Sequence, residues 1–138
     1  SQCVVVSIDY READKSNRVF VDGGATDTHI NVVEYSKRIQ DLGAGEILLN
    51  SIDRDGVGTG MDLNVIRQVA DAVSIPVIAC GGVGEWSHFA QVIQKTKADA
   101  VAAANIFHHT DQSVYYAKKE LVELGCNVRH PDLIKIIQ

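Results

Sequence analysis

The chain has 138 residues, of which 46% are hydrophobic and 22% charged, and its formal net charge at pH 7 is −5. This length and composition suit a globular protein with a real apolar core. The negative charge and the lack of a Lys/Arg run argue against a nucleic-acid partner, because binding phosphate backbones needs clustered positive charge. No apolar run approaches the roughly 18 residues of a membrane span, and no signal peptide is visible. We therefore expect a cytoplasmic protein.

The first predicted element is a fully buried parallel strand over Cys3–Ile8, because the apolar residues run continuously up to Asp9. The polar segment Tyr10–Asp27 follows, and we interpret it as a long loop that could include a hairpin and act as a lid. Helical spacing of apolar residues then predicts a helix over Ile30–Leu42, with Gly43 as its stop.

The rest of the chain repeats the strand-then-helix order three more times. The predicted strands are Glu46–Ile52, Val77–Cys80 and Ala98–Ala104. Three predicted helices alternate with these strands. The first is capped by Asp62 and runs to Val73, the second covers Glu85–Lys95, and the third covers Ser113–Leu124 and stops at Gly125. The tail Cys126–Gln138 follows.

Four consecutive strand–helix units predict an α/β fold with a parallel sheet. We assign residues 1–138 to a single (β/α)4 domain, which is half of a TIM barrel, since that fold closes only with eight strands. An open half would expose two strand edges and an uncovered apolar face. We therefore expect completion by dimerisation or by a missing N-terminal half. The chain begins at Ser1 and its only methionine is Met61, so we expect a cut piece, a processed form or a designed chain.

Three cysteines, Cys3, Cys80 and Cys126, are spaced like neither a disulfide framework nor a metal site. We expect buried, reduced thiols. A catalytic thiol at Cys80 is the sharper alternative, but no evident base lies beside it in the sequence.

Two predicted strand ends have the residues that favour phosphate binding. In Ile78–Gly84 a strand leads into a glycine turn, and glycines let backbone N–H groups approach a ligand with no Cβ in the way. The helix that follows would add a partly positive N-terminus. Leu48–Gly56 forms a second such corner. The glycines could instead simply permit a tight turn, but two corners in one chain indicate an α/β enzyme with a phosphorylated ligand.

The chain resembles the cyclase subunit (HisF) family of imidazole glycerol phosphate synthase. The matching segments follow the family's order: CVVVSID (3–9), GAGEILLNSIDRDG (43–56), IPVIACGGVG (75–84) and ADAVAAANIFH (98–108). The resemblance implies the C-terminal half of a histidine-biosynthesis barrel, a carbon–nitrogen lyase and cyclase. Its reaction would use ammonia from a glutaminase (HisH-like) subunit to convert a phosphoribulosyl-formimino-aminoimidazole carboxamide ribotide to imidazole glycerol phosphate. No metal, flavin or nicotinamide is implied.

The resemblance also implies roles for single residues. Asp9 matches an acid–base aspartate at the end of the family's fifth strand, although a capping role for the following loop is the alternative. The second acid–base aspartate of the family lies on its first strand and has no counterpart here, so we expect the isolated half to have very low activity. One substrate phosphate is expected at Asn50, Asp55, Gly56, Gly81 and Gly82, with Ala104 and Asn105 as further candidates.

Two alternatives stay open. Asn105 stands where the family commonly has serine, and the segment Tyr10–Asp27 and the ending AANIFHH are closer to a paralogous group linked to ammonia-dependent amidation of sugars for surface polysaccharides. The other alternative is an inactive half-barrel module, which would form a homodimer and bind phosphate or sulfate at Gly82 and Ala104 without cyclisation.

Overall fold

A computed structural model describes residues 3–109 and 114–131 of the chain. Among these residues, six strands form one sheet in the order β3-β2-β1-β4-β5-β6. The strands are β1 (Val5–Ala13), β2 (Ser16–Val21), β3 (Thr26–Asn31), β4 (Glu46–Ser51), β5 (Val77–Cys80) and β6 (Ala100–Ala102). The helices are α1 (Val32–Asp41), α2 (Leu63–Ala72), α3 (Trp86–Lys95), α4 (Ile106–His109) and α5 (Val114–Glu123).

The core lies between one face of the sheet and helices α1, α2, α3 and α5, which pack side by side in that order. Strands β1, β4, β5 and β6 are mutually parallel. Because side chains alternate across a strand, every second residue of these strands enters the core, and each of the following is at most 1% exposed: Ile8, Ile47, Leu49, Val77 and Ala79. The predicted α/β class with a parallel sheet is confirmed, and it is compatible with part of a TIM-barrel-like fold.

The opposite face of the parallel strands is open. Val5 is 51% exposed, and Leu48 and Ile78 are only half-buried. The strand register sets the side chains of this face in two rows, Ser7–Leu48–Ile78–Ala100 and Asp9–Asn50–Cys80–Ala102. The second row lies nearer the carboxyl ends of the strands, where barrel enzymes hold their catalytic groups.

The interpretation of Tyr10–Asp27 as a long loop is wrong, because antiparallel strands account for most of this segment, in line with the hairpin that it could include. Strand β1 continues to Ala13 and pairs with β2 from Asp9 onward, and β2 pairs with β3, both antiparallel. The turn between β1 and β2 places Asp14 and Lys15 at φ 49° and 61°, as a two-residue hairpin turn requires.

Helix α1 begins at Val32, so the predicted start at Ile30 is wrong. The Asn31 side-chain oxygen accepts hydrogen bonds from the Val33 and Glu34 N–H groups, at 2.9 and 3.4 Å, and so caps the helix. The predicted stop at Gly43 is confirmed. Gly43 has φ 94° and donates to Gln40 O, and the next N–H, of Ala44, donates to Ile39 O, which is the Schellman arrangement.

Strand β1 begins at Val5 and not at Cys3, and Val5 and Ser7 are exposed, so it is not the fully buried strand that was predicted. The other boundaries agree closely with the predictions. Asp62 caps α2 through a 3.2 Å bond from Val65 N, and α3 follows Glu85 directly. Strand β6 is shorter than predicted, and α4 was not predicted. The predicted first residue of the last helix, Ser113, and the end of the tail, 132–138, lie outside the described residues.

Candidate functional site

A cleft of about 170 Å³ opens at the carboxyl ends of the parallel strands. It is formed by the end of β4, the loop after β4, the glycine turn after β5 and the segment after β6. Its lining includes all seven binding residues predicted from the sequence, which are Asn50, Asp55, Gly56, Gly81, Gly82, Ala104 and Asn105. The other lining residues are Ser7, Leu48, Cys80, Val83 and Ala103. Parallel strands explain the convergence, since their carboxyl ends meet at one edge of a sheet.

Asp9 adjoins this cleft through Asn50. The Asn50 side-chain nitrogen donates to Asp9 Oδ1 at 3.0 Å. Only the nitrogen of the amide can donate to a carboxylate, so the contact fixes the orientation of the amide. The amide oxygen of Asn50 is then buried and has no hydrogen-bond partner among the described residues. A buried acceptor without a donor is costly, which makes this oxygen a point where a ligand N–H or O–H could bind.

The glycines after β5 have structural reasons of their own. Gly82 has φ 97°, and a Cβ there would collide with the carbonyl oxygen of Gly60, whose N–H donates to Gly82 O at 2.8 Å. A Cβ on Gly84 would likewise collide with Gly58 O, and one on Gly81 would lie 2.6 Å from Ser51 O. The missing side chains therefore allow the loop after β4 to pack against the turn after β5.

Backbone donors around the cleft are left unpaired by this packing. Within residues 3–109 and 114–131, no hydrogen bond uses the N–H of Gly56, Gly82, Val83 or Ala104. All four residues line the cleft. Concave backbone carrying several free N–H groups is a common binding site for anions.

The charge of the cleft comes from carboxylates. Among the described lining residues there is no Lys or Arg, whereas Asp55 is exposed at the rim. Burial raises the pKa of the Cys80 thiol, and the charges of Asp55 and Asp9 raise it further. Cys80 is therefore a neutral thiol at pH 7, and an anion here would be bound by backbone donors. The expectation of buried cysteines holds for Cys126 only, since Cys80 is half-buried and Cys3 is exposed.

The loop after β4 connects the hairpin with the glycine turn. Asp53 accepts a hydrogen bond from Glu12 N at 3.3 Å and lies 3.6 Å from Arg11 Nε, both on β1. Arg54 instead donates from Nη1 to Gly60 O at 3.1 Å. Asn105 closes the other side, because its side-chain nitrogen donates to Gly56 O at 3.1 Å. Asp53, Arg54 and Asn105 thus hold the walls of the cleft together.

The profile of the histidine biosynthesis protein family matches residues 1–113, which include every residue that lines the cleft. This chain belongs to that family. Two curated relatives are named imidazole glycerol phosphate synthase subunit HisF. The protein of Bacillus cereus (strain G9842) is 47% identical over 131 residues, which are 94% of this chain and 52% of that protein. The protein of Clostridium botulinum (strain Okra / Type B1) is 46% identical over the same shares. The chain spans about half the length of these relatives.

Sequence reasoning missed His88, which lies in the first turn of α3. Its Nδ1 accepts hydrogen bonds from Gly84 N at 3.1 Å and Glu85 N at 3.3 Å. These two N–H groups precede α3 and are therefore not available to a ligand, so the helix contributes less to the corner than the sequence suggested. A polar side chain three residues after a helix cap is the available signal, but it is usually Glu or Gln.

Two other kinds of feature are absent from the described part of the chain. No group of three or more His, Cys, Asp or Glu residues is arranged there to bind a metal ion. No described helix has both the length and the apolar character needed to cross a bilayer.

Proposed function

We propose that this chain supplies the C-terminal half of a HisF-type cyclase barrel. The observation that supports this most directly is the cleft of this chain, which belongs to the histidine biosynthesis family. Asp9, Asn50 and unpaired backbone N–H groups lie together there, at the carboxyl ends of parallel strands. The substrate would be a phosphoribulosyl-formimino-aminoimidazole carboxamide ribotide, and ammonia would convert it to imidazole glycerol phosphate.

In this proposal the cleft holds one substrate phosphate. The N–H groups of Gly56, Gly82, Val83 and Ala104 donate to the phosphate oxygens, which suits a cleft without a lining cation. Asp55 cannot be a phosphate ligand as a carboxylate, since two anions repel each other. It would accept a hydrogen bond from a hydroxyl group next to the phosphate. Gly81 allows the end of β5 to approach β4, and Asn105 holds the Gly56 corner in place.

Asp9 would move protons during ring closure. A general acid or base must reach the reacting atoms, and Asp9 lies in the row of the open face nearer the carboxyl ends of the strands, oriented by Asn50. Ring closure and release of the aminoimidazole ribotide need a second group with a different proton affinity. We propose that this group belongs to the other half of the barrel, so the chain alone has very low activity.

The open face and edges would be covered by that other half. Strand β6 forms one edge of the sheet, and β1 is unpaired on the hairpin side before Asp9. An N-terminal half with the same architecture would pair with both edges and bury Val5, Leu48 and Ile78. A second copy of this chain could take the same position. A glutaminase subunit would supply ammonia, in line with the word subunit in the relatives' names.

The test is reconstitution. Imidazole glycerol phosphate formation from the ribotide and an ammonium salt would be measured for the chain alone and for the chain mixed with the N-terminal half of the Bacillus cereus relative. We expect product only from the mixture. A stable complex of the two halves without product would refute the cyclase assignment, and a full rate from the chain alone would refute the need for a second half.

The sugar-amidation paralogue is the second candidate, and Asn105 favours it. The residue differs from the serine common among cyclases, and the hydrogen bond from its side-chain nitrogen to Gly56 O narrows the corner where a phosphate would bind. The same mixture distinguishes the candidates, since a paralogue would leave the ribotide unchanged. Binding of phosphate by a homodimer without turnover would instead identify an inactive module.

A further inference from the structure

His88 lies behind the glycine turn and outside the lining of the cleft. Its Nδ1 is the acceptor for both Gly84 N and Glu85 N, at 3.1 and 3.3 Å. An imidazole nitrogen accepts a hydrogen bond only when it bears no proton. The contacts therefore fix a neutral ring with its proton on Nε2.

The same ring lies near the loop after β4. A Cβ on Gly60 would lie 3.6 Å from His88 Nε2, so a side chain at that position would contact the ring. Gly60 donates to Gly82 O at 2.8 Å and accepts from Arg54 Nη1 at 3.1 Å. His88 is thus hydrogen-bonded to the turn after β5 and lies near the loop that packs against this turn.

We propose that neutral His88 is a positioning residue for the anion site. It holds the turn 82–84 so that the N–H groups of Gly82 and Val83 face the cleft, and protonation of the ring weakens anion binding. This inference rests on the proposed function, because it assumes that the cleft binds an anion. The physical reason is local, since a protonated ring is a donor at both nitrogens and cannot accept from Gly84 and Glu85.

Charged groups also lie on the neighbouring segments: Glu85 at the start of α3, Asp62 at the start of α2 and Arg54 in the loop after β4. A charged ring would also attract an anion, but it acts through the intervening turn and is weakened by solvent and salt. The loss of the two hydrogen bonds to Nδ1 instead releases the turn that positions the N–H groups of Gly82 and Val83. The net effect expected on protonation is therefore weaker anion binding.

Sulfate is the probe of choice because its charge does not change over the range in which histidine titrates. Its affinity would be measured at about pH 5.5 and about pH 8, on either side of the ordinary histidine pKa of about 6.5. We expect the affinity of the unmodified chain to fall about fivefold or more at the lower pH, the equivalent of at least one net hydrogen bond. His88→Asn places an amide oxygen where Nδ1 was, and should bind equally well at both pH values. His88→Ala should bind weakly at both.

His108→Asn is the matched control, since His108 is exposed on α4 and the variant should keep the pH dependence of the unmodified chain. The inference is wrong if His88→Asn retains that pH dependence, or if the unmodified chain binds sulfate more tightly at the lower pH. Absence of sulfate binding at both pH values would overturn the anion site itself and the inference with it. Imidazole ¹H–¹⁵N NMR tests the geometry separately, because a proton on Nδ1 at about pH 8 would contradict the arrangement.

Discussion

Gly82 and Gly23 both adopt the left-handed conformation, at φ 97° and 66°, but they differ in their surroundings. A Cβ on Gly23 meets nothing within 4 Å, whereas one on Gly82 collides with Gly60 O. Gly23→Ala should therefore cost only the backbone strain, about 1–2 kcal/mol. Gly82→Ala should lower the free energy of unfolding by clearly more, and it should abolish anion binding. Urea unfolding of the two variants measures this difference. Equal losses of unfolding free energy would show that the close packing of Gly82 against Gly60 does not stabilise the fold.

Asp9 provides a second test at the scale of single residues. Asp9→Asn keeps an oxygen that can accept from Asn50, so the fold and sulfate affinity should persist, while the loss of a proton-transferring group should slow the reconstituted cyclase by about 10²–10⁴-fold. Cyclisation rates with an ammonium salt measure the effect. Asp71→Asn, at an exposed ion pair with Lys97, is the control and should be unchanged. A rate for Asp9→Asn equal to that of the unmodified chain would mean that another group transfers the protons.

The β2–β3 hairpin is an element stabilised by charge. Asp27 accepts from His29 N at 2.7 Å and from Arg18 Nη1 at 2.9 Å. The His29 N–H above all, and then Arg18, lower the pKa of this carboxyl below its usual range. A carboxyl with a lowered folded-state pKa stabilises the fold above the ordinary aspartate pKa of about 3.9, and this contribution is lost as the pH falls through the folded value.

Asp27→Ala should accordingly lower the urea midpoint at neutral pH. The gap between this variant and the unmodified chain should stay constant down to about pH 5 and shrink below about pH 4. Asp41→Ala, exposed at the end of α1, should show a smaller loss. A gap that widened on acidification would mean that Asp27 does not stabilise the hairpin through its charge.

The elements that were predicted well are those whose signals are local. Apolar runs marked β4 and β5, Asp62 marked the start of α2, and Gly43 marked the end of α1. The start of α1 was misplaced because Ile30 fits the helical spacing, although the cap Asn31 followed by Glu34 was a readable signal. The hairpin has weak apolar alternation, and the Arg18–Asp27 contact that stabilises it joins residues nine positions apart.

The candidate site shows the same limit. Its residues could be named because strand ends in a parallel sheet converge, a property of the fold and not of any one segment. The mutual packing of Gly60 and Gly82, and the contact of His88 with the turn, depend on backbone distances between separate segments. Periodicity and composition carry no information about such distances.

At the scale of the whole molecule, the open face of the sheet sets the behaviour of the chain. Leu48 lies in the middle of that face, between Ser7 and Ile78 in the register. Leu48→Asp would place a charge in the interface that completes the barrel, so it should prevent association with a second copy or with an N-terminal half. Light scattering measures the mass. Leu42→Asp, 77% exposed at the end of α1, should associate normally, and association of both variants would refute the proposed interface.

Phosphate binding by the backbone of the cleft is the property on which the proposed function depends most. Amide ¹H–¹⁵N NMR of the chain, titrated with inorganic phosphate, tests it directly. We expect saturable shifts centred on the N–H groups of Gly56, Gly82, Val83 and Ala104. Shifts confined to other surfaces, or no shifts at any phosphate concentration, would contradict it.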